Sequence, residues 1–149
     1  MEINDVLAAF EAALHTKYPE EPVYYDELPK GFKRPSFTLE CNRSEVIDVN
    51  LALVQHKLTV LVTSYVEVNA HSDSSRAELN RRESAVLTIF GAGYLRVGDR
   101  CITVSAAKGA GAPDFSEITV VVSWMDARVR GNAAETAPLM ENFEINRKE

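Results

Sequence analysis

Leu53-Val-Gln-His-Lys-Leu-Thr-Val-Leu-Val-Thr63 is the stretch that decides the fold. Val54, His56, Leu58, Val60 and Val62 alternate with Gln55, Lys57, Thr59, Leu61 and Thr63. A period of two sends each set to its own side of a pleated strand, so the spacing predicts a strand over 53–66. The same alternation places Phe37, Leu39 and Cys41 opposite Ser36, Thr38 and Glu40 in a strand over 36–41. It recurs over 101–106, where Ile102, Val104 and Ala106 share a face, and over 118–129, where Ile118, Val120, Val122 and Trp124 do. Pro22-Val-Tyr-Tyr25 reads as a further short strand before a loop through Pro29, Gly31 and Pro35.

Around these strands the period changes. Ile3, Val6, Leu7, Phe10, Leu14 and Tyr18 fall at helical spacing and predict a helix over about residues 3–17, with Asn4 and Asp5 as N-terminal charge or cap and Pro19 past its end. Ser72-Asp-Ser-Ser75 offers several N-caps for a second helix, and Glu78 stands where a capping box needs it. Ala77, Ala85, Val86, Ile89 and Phe90 form its expected stripe, and Gly91 and Gly93 stop it. Residues 42–49 read as a polar connection, and Lys108-Gly-Ala-Gly-Ala-Pro-Asp114 as a hairpin loop.

The order predicts an α+β single domain: a mostly antiparallel sheet of four to five strands, two helices packed on one face, and an extended C-terminal tail. The domain is expected over 1–130. Residues 131–138 read as a tether, followed by Leu139, Met140, Phe143 and Ile145. Four large apolar residues suit docking on the chain's own sheet or a neighbouring subunit better than solvation.

A chain of 149 residues suits one domain, and at that size folding buries roughly 68–70% of the unfolded surface, enough to need no disulfide or metal. The formal net charge of −6 argues against direct binding of nucleic acid or an anionic membrane, because both require a basic footprint. Cys41 and Cys101 read as reduced thiols in strands. The first residues lack a basic and then apolar leader, and no apolar run approaches the roughly 20 residues of a membrane span, so a soluble chain is expected.

Catalytic patterns are weak throughout. His15, His56 and His71 have no metal-ligand spacing, and the two cysteines are far apart in sequence. Gly91-Ala-Gly and Gly109-Ala-Gly precede no helix and lack the Lys-Ser/Thr of a phosphate loop. Glu20-Glu21 and Asp26-Glu27 read as solvated carboxylates, and Arg76, Arg81 and Arg82 as the exposed side of the second helix. Trp124 and Tyr65 read as core or interface aromatics. No catalytic, cofactor-binding or metal-binding residue is expected, and a non-enzymatic, structural role follows.

Three features carry a family resemblance. Met1-Glu-Ile-Asn-Asp-Val-Leu-Ala-Ala-Phe10 leads to Tyr24-Tyr-Asp-Glu27 and Gly31-Phe-Lys-Arg-Pro-Ser-Phe37. A long strand is followed by a helix after a polar turn. The chain closes on Met140-Glu-Asn-Phe-Glu-Ile-Asn146. Together these resemble the tail terminator proteins of phages and prophages of Gram-positive bacteria over nearly the whole chain. The strand Val54-Gln-His-Lys-Leu-Thr-Val60 departs from the pattern in having fewer aromatics.

The resemblance implies a virion protein of the tail or neck, made in the bacterial cytoplasm. It implies a ring of copies, usually six, at the head-proximal end of the tail tube. That ring ends tube polymerisation and presents a surface to the head-completion or connector protein, and to a sheath protein where the tail is contractile. DNA passes through such a ring without specific binding. A head–tail connector or neck component is the alternative within the same class, and a small ligand-binding or enzymatic α+β domain the alternative outside it. Arg43 and Glu45 in the polar connection and Lys108 in the glycine-rich loop are the expected contact residues of the body, with Leu139, Met140, Phe143 and Ile145 those of the tail.

Overall fold

The computed structural model describes residues 1–71 and 75–129. The first helix, α1 (Ile3–His15), starts where the Asp5 carboxylate accepts the Glu2 amide at 2.8 Å. Of the stripe read from spacing it buries Val6, Leu7, Phe10 and Leu14 and leaves Ile3 exposed, and it ends at His15, before Tyr18 and two residues before Lys17. A short strand β1 (Val23–Tyr25) follows, then β2 (Ser36–Asp48) and β3 (Leu53–Tyr65). The second helix, α2 (Arg76–Phe90), leads into β4 (Tyr94–Val97), β5 (Arg100–Ala112) and β6 (Phe115–Ala127).

The six strands form one sheet in the order β1-β2-β3-β6-β5-β4. β1 runs parallel to β2, and every other pair is antiparallel, so the sheet is mixed. The fold is therefore α+β, with six strands instead of four to five. Its core takes one face of the sheet: Phe37, Leu39, Leu58, Val60, Val62, Ile102, Val104, Ile118, Val120 and Val122 pack against Val6, Phe10 and Leu14 of α1 and Val86 and Phe90 of α2. Thr59, Leu61, Thr119, Val121, Thr103 and Ser123 point to the other face, where no helix lies among the described residues.

Four expectations need correction. Residues 42–48 are not a connection but the second half of β2: a bulge between Cys41 and Arg43 shifts the register, and pairing then continues to Asp48↔Val54. The bulge breaks the alternation that marks a strand, and that hid the continuation. Residues 108–112 likewise remain in β5, with a shift between Lys108 and Gly111, so the hairpin turn shrinks to Pro113 and Asp114. Gly and Ala read as turn formers, yet the β6 ladder holds them extended. β4 has no counterpart in the sequence reading; it is four residues long and turns into β5 through Gly98, whose φ of 61° suits a two-residue hairpin.

The fourth correction concerns α2. Ser75 stands at its N-cap without a side-chain cap bond, and the Glu78 carboxylate binds Arg81 at 2.7 Å instead of closing a capping box. Its buried residues are Leu79, Arg82, Ala85, Val86 and Phe90, whereas Ala77 is exposed. Arg82 is thus part of the core stripe and not of the exposed side. The cap candidates Ser72, Asp73 and Ser74 lie outside the described residues, as do Leu139, Met140, Phe143 and Ile145.

Candidate interaction surface

The second half of β2 and the first half of β3 form a hairpin, largely exposed along β2, and β6 lies beside it as far as Ala127. The tip is closed by Asn50, whose side-chain carbonyl accepts the amides of Ala52 and Leu53 at 2.8 and 2.9 Å. Arg128 ties the end of β6 to this tip: its amide reaches the Ala52 carbonyl at 2.8 Å, and its guanidinium the Asn50 carbonyl at 2.9 Å and the Asp48 carboxylate.

Large apolar side chains gather there in solvent. Val46 is 63% exposed, Leu51 88% and Val129 94%, with Ile47, Val49 and Met125 also exposed. These six account for most of the large apolar residues exposed anywhere in the described chain. A single exposed aliphatic is ordinary, but a cluster at one end of a molecule marks a contact surface.

An open depression of about 530 Å³ lies within the cluster, lined by Val46, Val54, His56, Asp126, Ala127 and Val129. Its floor is built. His56 and Trp124 face each other across β3 and β6, stacked at 5.2 Å and 11°. The Trp124 indole donates to Asp126 at 2.9 Å, and Arg100 donates to the other carboxylate oxygen at 2.5 Å and to the Met125 carbonyl. The Arg100 hydrogen bond, aided by that from Trp124 and opposed by partial burial, holds the Asp126 carboxyl below the usual carboxylate range. Asp126 is thus bound by both Trp124 and Arg100, and His56 Nε2 lies 3.8 Å from it.

The expected body contacts fall on opposite edges. Arg43 and Glu45 lie on the helix-free face of β2 and pair with each other at 2.9 Å. Lys108 lies on β5 and reaches Glu83 of α2 at 3.2 Å. The structure does not bring these three together. Sequence reasoning missed the hairpin tip, because its apolar residues are scattered among Asp48, Asn50 and Arg128. The one signal was Val46-Ile47 followed by Val49 and Leu51 in a segment otherwise read as polar.

A second depression, of about 390 Å³, is lined by Tyr18, Glu21, Pro35, Val66, Glu67, Ser75, Glu78 and Arg82. Its one cation, Arg82, is already paired. Arg82 grips Glu21 through both terminal nitrogens and donates its Nε to Ser64 at 2.6 Å. Glu21 is therefore the partner of a buried cation and not a solvated carboxylate. Among the described residues, no three His, Cys, Asp or Glu side chains are placed to hold a metal ion. No described helix is long and apolar enough to cross a membrane. No protein-family model matches the chain, and no curated protein matches it.

Proposed function

We propose that this chain is a structural subunit of a phage tail, a terminator that caps the head-proximal end of the tail tube as a ring of copies. The reading rests on the family resemblance and is supported by one observation above all: exposed apolar side chains concentrated on a braced hairpin tip. A monomer gains nothing from such a tip, whereas an assembly gains roughly 25 cal/mol for each Å² of it buried. The partners proposed are other copies of the chain, the tube protein below, the head-completion or connector protein above, and a sheath protein in a contractile tail. The net charge of −6 suits a ring that lets DNA pass without holding it.

Leu51→Asp and Val46→Asp test the reading in a prophage that carries the gene. Both positions are exposed, so folding stability stays within about 0.5 kcal/mol of wild type. Joined, infectious particles fall sharply in number while the purified variant still melts as wild type does. Particles formed at the wild-type level with both variants would remove the tip from the account. Tails of normal length beside unattached heads would favour the head–tail connector instead.

A further inference from the structure

We infer that copies of this chain join by strand pairing, with residues 43–48 of β2 in one copy laid against residues 105–112 of β5 in the next. The inference rests on the assembly reading above and specifies its contact. The sheet leaves two stretches of strand edge open among the described residues. On one side β1 covers β2 only at Phe37–Leu39, so the outer edge of β2 has no strand partner beyond the bulge at Cys41/Arg43. On the other side β4 covers β5 only at Arg100–Thr103, with one further bond from the Val104 amide to the Gly93 carbonyl at 3.1 Å. Past Val104 the outer edge of β5 is open to its end.

The two edges suit each other in direction. Three antiparallel steps separate β2 from β5, so the two strands run in opposite senses within one sheet. A second copy added to the side, with its strands in the same sense, therefore presents β5 antiparallel to β2. That is the more stable ladder.

They also suit each other in shape. Residues 105–112 read Ser-Ala-Ala-Lys-Gly-Ala-Gly-Ala, with nothing larger than Ser except Lys108. Such a strand gains little from its own side chains and leaves room beside it for larger ones. Across from it, β2 offers Val46 on the helix side and Ile47 on the free side, both exposed. Bulky β-branched residues against small ones bury area without collision. The alternative occupant, residues 130–149 of the same chain, follows the hairpin-tip end of β6: β3 and β2 lie between that end and the open edge of β2, and the open edge of β5 lies across that strand at residues 105–112, toward the opposite end of the sheet.

The stagger is informative. Ser44 and Val104 lie at the same level across the sheet, through Leu58 and Val122. From that level β2 is open toward Asp48 and β5 toward Ala112, in opposite directions along the strands. Copies that pair these edges are displaced along the strand axis, so their strands tilt against the axis of the assembly, as strands in closed barrels do. The two surfaces differ, which makes the contact heterologous, and heterologous contacts close into rings when the rotation allows.

Hydrogen–deuterium exchange on the full chain tests this, comparing dilute monomer with the associated protein. The amides of 43–48 and of 105–112 both slow by about tenfold or more on association. Protection of one segment alone, or of neither, overturns the pairing. So does protection that is already present in the monomer and disappears when residues 130–149 are removed, because the chain's own end is then the occupant. Ile47→Lys and Ala107→Lys give a second reading. Each weakens self-association about tenfold or more, and a mixture of the two stops at dimers because each copy keeps one good edge. Undiminished association in either variant overturns the pairing. A ring seen on tails whose 43–48 and 105–112 amides exchange freely keeps the terminator reading and removes this contact; a chain that associates neither alone nor on tails removes both.

Discussion

The Arg82 guanidinium is enclosed on all sides. It sits 4.7 Å from the ring centres of both Tyr18 and Phe37, binds Glu21 through two nitrogens and Ser64 through the third, and has a side chain 3% exposed. One residue thus fastens α2 to β2, β3 and the turn after α1. Its place was legible in part, since Leu79, Arg82, Val86 and Phe90 recur at helical spacing, but Arg is rarely buried unless paired, and its partner Glu21 lies 61 residues away in sequence. Arg82→Ala leaves Glu21 buried without its cation and costs about 3–5 kcal/mol in urea denaturation. A loss under about 1 kcal/mol would show that the pair is exposed in solution. Asp126 gives a prediction with a sign. Its folded pKa lies below the ordinary 3.8, so its contribution is present above that value and is lost as pH falls through the lower folded one. Between pH 5 and pH 3 the wild-type urea midpoint therefore falls further than that of Asp126→Asn. Equal slopes would remove Arg100 and Trp124 as the cause.

At the level of elements, the long strands were readable where their alternation was clean and lost where it broke. β3 matched its expected span almost to the residue, because its core side chains repeat without a slip from Leu58 to Val62. β2 and β5 were cut short at their bulges, where an extra residue shifts the side-chain pattern. The β4–β5 hairpin carries a sequence signal of its own: Gly98-Asp99 between Val97 and Arg100 is a two-residue turn dipeptide. Gly98 is needed there for its positive φ, which a side chain disfavours. Gly98→Ala costs about 1–2 kcal/mol, and the loss appears first as faster amide exchange in β4. Unchanged exchange in Tyr94–Val97 would mean that β4 does not depend on this turn.

For the molecule as a whole, local periodicity conveyed the class, helices on one face of a mostly antiparallel sheet, but not the order of the strands. The insertion of β6 between β3 and β5, and the parallel start at β1, depend on contacts between residues far apart in sequence, which a period of two does not encode. The contact surface was illegible for the same reason. Val46 and Val129 line one depression at the hairpin end only because β6 runs back alongside β3 to pair Ala127 with Leu53. The body residues proposed from sequence, Arg43, Glu45 and Lys108, proved to lie on two separate edges, a division that sequence position alone conceals. The terminator account is tested most directly by deleting the gene and measuring tail lengths by electron microscopy. It predicts tails that are overlong and of scattered length, without attached heads. Tails of uniform wild-type length in the deletion strain would contradict it.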